Sequence, residues 1–264
     1  MNTSAPKVSI IVPCFNAEKF LAETLGCVSK IDYSHWECII VNDGSTDNSE
    51  SIASKFCNSD GRFKLFSQPN SGPSAARNHA IARSTGDFIL PLDADDLISE
   101  TYVKEAALIL SNQPEIKLVY CLARKFGRKN KAWNLPDYSF EKLLVDNLIF
   151  CSAMFRKSDF LNTRGFDESM KSGREDWDFW IEFLKDGGNV HRIEKVHFFY
   201  RTHKWSHNKV ANQSIAAIRE HVSRNHWQLY SDIIKNPAQL LWEHDFFKKK
   251  YNIIRRLMLQ KPIP

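Results

Sequence analysis

The sequence contains no run approaching the ~20 consecutive apolar residues that span a bilayer. Its opening MNTSAPK has neither the basic start nor the apolar stretch of a signal peptide. A cytoplasmic protein without a spanning helix is therefore expected. No CxxC pair occurs among Cys14, Cys27, Cys38, Cys57, Cys121 and Cys151, which are scattered and mostly sit among apolar neighbours. That spacing argues against a zinc site or a disulfide framework and for reduced, buried thiols in a reducing compartment. Internal repeats and low-complexity tracts are also absent.

What is present describes a large globular chain. Its 264 residues suit one main domain with an appended C-terminal piece, because a single core grows poorly beyond ~250 residues. Hydrophobic residues at 43%, charged residues at 25%, eighteen Phe and seven Trp supply a substantial core and exclude a disordered chain. The net charge of +5 conceals an asymmetry. Residues 201–264 hold twelve Lys or Arg against four Asp or Glu, whereas residues 1–200 hold 24 against 27, so the two regions face different partners.

Val8–Val12 (VSIIV) is a short β-branched run closed by Pro13 and reads as a buried strand. Leu21, Leu25 and Val28 then recur at helical spacing, with Asn16 as the candidate cap. The pattern repeats: a strand at Cys38–Val41 and a helix over Ser49–Phe56, a weaker strand at Phe63–Ser67 and a helix near Ala75–Arg83, then a strand at Phe88–Leu92. Alternation of this length predicts an α/β fold with a mostly parallel sheet covered by helices on both faces. Ligands bind such sheets outside the carboxyl ends of the strands, where Phe15, Asp43, Asn70 and Asp93 emerge. A helix at Ser99–Leu110, strands at Leu118–Leu122 and Cys151–Phe155, a helix at Trp177–Leu184 and two strands at Val190–Ile193 and His197–Arg201 complete the expectation. Residues 124–150 carry no clear pattern.

Several clusters bear chemistry. Asp93-Ala94-Asp95-Asp96 crowds three carboxylates onto one loop after a strand, a set of hard oxygen donors that suits Mg²⁺ or Mn²⁺ shared with substrate phosphates. The same tetrapeptide also suits a solvated turn capping the next helix. Asp43, in VNDGSTD, can accept a hydrogen bond from a nucleobase, or simply form an Asx turn. In NSGPSAARN, Arg77 near a helix start can bind phosphate or make a salt bridge, but no Gly-Lys-Ser/Thr follows to make a Walker loop. Glu175, Asp176 and Trp177 combine acids with an aromatic wall, offering a tuned general base and a face that can stack on a sugar ring. Helix capping is the plainer alternative. After the last expected strand, His203 could add a nitrogen ligand to the metal and Arg201 a phosphate contact.

Taken in order, VSIIVPCFNAEKFL, VNDGSTDNS, NSGPSAARNHA, GDFILPLDADD, GFDE, EDWDFW and YRTH resemble glycosyltransferase family 2 over about residues 8–209. The resemblance implies a GT-A (Rossmann-like) fold: a domain over 1–210, with a donor-binding half to about 122 and an acceptor half from 123, then a basic, largely helical extension over 211–264. It implies an inverting, metal-dependent transfer of a sugar from a nucleotide-diphosphate sugar, such as a UDP-sugar, to a glycan or lipid-linked acceptor. By similarity, Pro13, Phe15 and Asp43 surround the base, Arg77 lies near the donor phosphates, Asp93 by the ribose, Asp95 on the metal, and Asp176 is the catalytic base. Asn42 in place of the commoner Asp, and His79-Ala80 in place of Xaa-Gly, depart from the family pattern and bear on donor identity.

A sugar nucleotidyltransferase, which releases pyrophosphate, and a non-catalytic nucleotide-sugar-binding module are the competing expectations. The GFDE and EDWDFW segments favour the transferase over the first, and Asp95, Asp176 and His203 together argue against the second. In the tail, Leu240, Leu241, Phe246 and Phe247 interleave with Lys248, Lys249, Lys250, Arg255 and Arg256. Such a segment either lies on an anionic membrane surface or packs its apolar side on the domain. No nucleic-acid-binding motif accompanies the charge.

Overall fold

A computed structural model describes residues 5–171, 173–203, 215–233, 242–245 and 248–249. Its first half is a run of strand-helix units: β1 (Val8–Cys14), α1 (Leu21–Val28), β2 (Trp36–Asn42), α2 (Ser49–Ser59), β3 (Phe63–Ser67), α3 (Pro73–Arg83) and β4 (Phe88–Pro91). These are the expected elements, with ends moved by a few residues. β1 and β2 are buried along nearly their whole length, which is why they read as continuous apolar runs instead of alternating ones.

β5 (Leu97–Ile98), α4 (Tyr102–Asn112), β6 (Ile116–Gly127), β7 (Lys131–Trp133), α5 (Phe140–Val145), β8 (Met154–Arg156), α6 (Lys157–Phe160), α7 (Glu175–Leu184) and β9 (Asn189–Thr202) follow. The strands form one sheet in the order β3-β2-β1-β4-β8-β6-β9-β5, with β7 added on β6. β3, β2, β1 and β4 run parallel, β8 is antiparallel to both of its neighbours, and β6 and β9 are parallel again. The sheet is therefore mixed, its parallel first half matching the expectation. Chain order reverses between β1 and β4, and this switch opens a crevice at the carboxyl ends of the strands.

Two expected strands prove to be one. Cys121 pairs with Ile193 and Leu122 with Val196, so Glu194 and Lys195 bulge out of a continuous β9. β6 extends past Leu122 for the same reason: pairing with β9 carries the polar Arg124 and Lys125 into the ladder. The segment without a sequence pattern supplies β7 and α5, the latter capped by Ser139, whose Oγ accepts from Lys142 N at 3.3 Å.

Under α7 lies an aromatic core of Phe155, Phe160, Phe166, Phe179, Trp180 and Phe183, with Phe166 stacked on Phe179 at 4.1 Å between centroids. All six cysteines are free thiols; Cys14, Cys38, Cys121 and Cys151 are buried and Cys27 and Cys57 half-buried. The chain divides into two compact units, Met1–Val222 and Ser223–Pro264, compared with the boundary after residue 210 implied by the family resemblance. Helices α8 (Ile215–Asn225) and α9 (Trp227–Ile233) occupy the expected helical extension. Of the basic-apolar tail residues, Leu240, Leu241, Phe246, Phe247, Lys250, Arg255 and Arg256 lie outside the described residues. Among the described residues no helix is long and apolar enough to cross a membrane.

Candidate active site

The loops after β1, β2 and β4 meet at the crevice. Asn16, in the left-handed region at φ 49°, does not cap α1; its Oδ1 accepts from Thr46 N at 2.8 Å and ties the first loop to the second. Pro13 is half-buried on β1, and Phe15 just beyond it is 48% exposed, an aromatic face offered to solvent at a strand end. Asp43 is buried, and it is Asp47, bonded to Ser49 N at 3.0 Å, that makes the Asx turn. Asp43 instead reaches across to the loop before α3. Its Oδ1 accepts from Gln68 Nε2 and Ser71 N, and its Oδ2 from Gly72 N, each at 2.8 Å. Gly44 must be glycine here, since at φ +73° a Cβ would stand 2.8 Å from Asn70 N.

Arg77 lies in the first half of α3 as expected, but it is buried instead of forming a surface contact. Its side chain is 3% exposed, with Nη2 donating to Asp93 Oδ1 at 2.7 Å and Nη1 to Glu175 Oε1 at 2.5 Å. The guanidinium thus joins the end of β4 to the start of α7. Burial of the guanidinium pulls its pKa down, but Cys151, then Asp93 and Glu175, outweigh it and hold the value well above the usual one. Asn78 beside it clamps the GFDE loop, accepting from Phe166 N at 3.0 Å and donating to its carbonyl at 2.9 Å.

On the far side of the crevice, Asp95 Oδ2 lies 3.0 Å from His203 Nε2. Burial, then the charge of Asp93, push the Asp95 carboxyl up, partly offset by His203. Arg201 is fixed by five contacts: its backbone N donates to Asp96 Oδ1 (2.7 Å), its Nε to the Asp95 carbonyl (2.7 Å), its Nη2 to Glu23 (2.6 Å), and its guanidinium lies 4.3 Å from the Phe126 and 4.8 Å from the Phe20 ring centroid. Asp96 is buried, and its pKa is raised well above normal by that burial and by Asp95 and Asp93. Among the described residues no group of three or more His, Cys, Asp or Glu is assembled for a metal. Asp95 Oδ2 and His203 Nε2, in contact with each other, are the oxygen and nitrogen donors at this rim that could hold a divalent cation.

Arg174, left-handed at φ 61°, is the N-cap of α7. Asp176, half-buried, has its pKa raised to about 7, first by burial and next by Glu175, with Arg77 and a hydrogen bond from Asn147 pulling the other way. The expectation of a sugar ring stacked on Trp177, on the acceptor side, is corrected. Its indole is 1% exposed, and its Nε1 donates to the Leu143 carbonyl at 2.5 Å, so it anchors α7 to α5 within the core. Glu175, also expected on the acceptor side, points inward to Arg77. Sequence reasoning passed over Gln68 and His79, whose Nδ1 lies 2.7 Å from Gln68 Oε1 in a chain leading to Asp43, and over Asn147 beside Asp176. His79 was visible only as a departure from the family pattern.

A parallel half-sheet with acids at its strand ends, faced by an acid at the start of a helix, defines the GT-A class of α/β fold. The chain belongs to glycosyltransferase family 2: the family model, Glycosyl transferase family 2, matches residues 9–178. Membership supports a glycosyltransferase activity. The chain is 27% identical over 246 residues to the Escherichia coli UDP-Glc:alpha-D-GlcNAc-diphosphoundecaprenol beta-1,3-glucosyltransferase WfgD, covering 89% of each. Its fold resembles S. aureus TarS 1-349 in complex with UDP-GlcNAc (TM-score 0.65, 22% identity, 77% of this chain and 60% of that one). It also resembles the mannosyltransferase PcManGT from Pyrobaculum calidifontis in complex with GDP-Man and Mn2+ (TM-score 0.63, 20% identity, 89% of this chain and 66% of that one). The chain thus spans about three fifths of the S. aureus fragment it matches.

Proposed function

We propose that this chain is a metal-dependent, inverting transferase that moves a sugar from a nucleoside-diphosphate sugar, a UDP-sugar foremost, to a hydroxyl of a glycan or lipid-linked acceptor in surface polysaccharide biosynthesis. The observation that carries this reading is Asp176, a carboxyl poised at about 7, next to the Glu175 that Arg77 joins to the strand-end Asp93. An acid so placed and so tuned suits a general base. The UDP-Glc and diphosphoundecaprenol in the E. coli relative's name support a uridine donor and a lipid-linked acceptor.

In this reading Phe15 offers its exposed ring to the base and Pro13 lines the same edge. Asp43 Oδ2 takes one hydrogen bond from the protein, leaving acceptor capacity for a base N–H. Asp93, with 36% of its side chain exposed, is available to a ribose hydroxyl as well as to Arg77. Asp95 and His203 would hold Mn²⁺ or Mg²⁺, which when bound neutralises charge on the departing diphosphate. Arg201 adds a fixed positive charge at the same rim. Arg77 acts as a positioning residue that holds Asp93 and Glu175 together. Asp176 takes the proton of the acceptor hydroxyl as that oxygen attacks the anomeric carbon from the face opposite the diphosphate. The new C–O bond forms as the bond to the β-phosphate oxygen breaks, and the configuration inverts.

A nucleotide-sugar panel scored for hydrolysis and thermal stabilisation with Mn²⁺ tests the reading, with release of a nucleoside diphosphate expected from at least one donor. Excess chelator and Asp95→Ala are each expected to lower turnover at least ~10²-fold, the scale on which groups that stabilise transition-state charge act. Re-added Mn²⁺ should restore only the wild type. Full turnover in chelator, or in Asp95→Ala, would remove the metal from the mechanism.

A further inference from the structure

The β6–β7 hairpin carries Arg124, Lys125, Arg128, Lys129 and Lys131, five cations within eight residues. The ladder sets Lys125 directly opposite Lys131. Like charges so opposed destabilise a hairpin unless something else answers them. Among the described residues no ion pair joins any of the five to a carboxylate. Arg124 Nε donates to Asn130 Oδ1 at 2.9 Å, and Lys125 Nζ lies 4.5 Å from the Trp133 ring centroid. Burial, then the charges of Lys131 and Lys129, pull the Lys125 ammonium below its ordinary pKa, as expected where cations crowd. Arg124, Arg128, Lys129 and Lys131 are exposed.

This tip is fastened to the rim of the candidate site. Arg128 N donates to the Thr202 carbonyl at 2.9 Å, Lys129 N to Thr202 Oγ1 at 2.8 Å, and Thr202 Oγ1 to the Phe126 carbonyl at 2.7 Å. Gly127, at φ +84°, permits the approach, since a Cβ would stand 2.7 Å from the Thr202 carbonyl. The next residue along β9's exit is His203, paired with Asp95. Arg201, one residue before Thr202, lies against the Phe126 ring. The cations are thus held in register with the catalytic rim.

We propose that this hairpin is a binding site for the diphosphate group of a lipid-linked acceptor, an assignment that rests on the transferase reading of the neighbouring site. Lys125 and Lys131, opposed on strands ~4.8 Å apart, stand at a spacing that a compact polyanion with several oxygens can bridge, and Arg128 and Lys129 continue the charge through the turn. A flat membrane surface fits the patch less well. Peripheral anchors pair cations with apolar side chains, and no exposed large apolar residue occurs between Arg124 and Lys131. The donor's own diphosphate has Arg201 and the cation that Asp95 and His203 would hold to address it, which leaves the hairpin for the second substrate.

The test uses the full chain saturated with UDP and Mn²⁺, so that the donor site is filled, and titrates farnesyl diphosphate by calorimetry. Wild type is compared with the triple variant Arg128→Gln, Lys129→Gln, Lys131→Gln, whose changes lie at exposed positions. The variant is expected to bind farnesyl diphosphate roughly tenfold or more weakly, the loss of at least one charge-assisted hydrogen bond. Its UDP affinity and its sedimentation with phosphatidylglycerol-phosphatidylcholine vesicles should equal the wild type's. Equal farnesyl diphosphate affinity in the two proteins, or none in the wild type, overturns the proposal while normal UDP binding leaves the transferase reading intact. A loss confined to vesicle sedimentation overturns it in favour of a membrane contact. Wild-type protein with no affinity for UDP overturns both.

Discussion

Asp176→Asn is expected to lower sugar transfer by ~10²–10⁴-fold at pH 8, the range of a lost general base, while nucleotide affinity changes little. Asn keeps the shape of the side chain but cannot take a proton. With the Asp176 pKa raised to about 7, the wild-type rate should climb with pH through about 7 and level off above it, and the variant should lose that limb. Stability should move in the opposite direction. Between the ordinary carboxylate value of 3.8 and about 7 the folded carboxyl holds a proton that the unfolded one has released, so this group's contribution is full below 3.8 and is lost as pH rises through 7. Asn removes that loss. The variant should therefore melt at least ~2 °C above the wild type at pH 8, the shift that about 1 kcal/mol gives at this size. The difference should vanish toward pH 4. Ordinary turnover in Asp176→Asn would move the base elsewhere.

Arg77→Met is expected to cost ~3–5 kcal/mol at pH 8, because removing one member of a buried ionic cluster leaves the others uncompensated. Glu175 would remain buried beside Asp176 with no cation, and Asp93 would lose its link to α7. Acidification should narrow the difference as the orphaned carboxyls protonate. Transfer should fall with stability, since α7 carries Asp176. Arg77→Lys should recover only part, because one ammonium cannot fork between two carboxylates as a guanidinium does. Urea unfolding at pH 8 and pH 5 reads both effects. A variant within ~1 kcal/mol of the wild type at pH 8 would mean that Arg77 is an ordinary surface-type pair.

Strands β1, β2 and β4 were legible because burial on both faces writes itself as VSIIV, CIIV and FIL, and their ends were marked by Pro13, Asp43 and Asp93. The motif residues were legible as types in order. Their partners were not, because a sequence does not reveal which way a side chain turns. Arg77 faces inward to two acids 16 and 98 residues away, and Trp177 turns into the core next to an Asp176 that does not. β9 looked like two strands because a bulge places Glu194 and Lys195 together and interrupts the alternation. The hairpin after Leu122 was hidden for a related reason. β6 is extended by pairing with β9 and β7 is made by pairing with β6, and their charges, unlike those of a buried strand, serve the surface.

The most direct test of inverting transfer needs no acceptor beyond water. With a donor identified from the nucleotide-sugar panel, proton NMR can follow slow hydrolysis of an α-configured nucleotide sugar by the full chain with Mn²⁺, fast enough to precede mutarotation. Attack from the face opposite the diphosphate, with Asp176 taking the proton of water, predicts that the first free sugar to appear is the β anomer. It should appear in step with loss of the donor's anomeric signal and fail to appear with Asp176→Asn. First appearance of the α anomer would contradict the mechanism derived from this site.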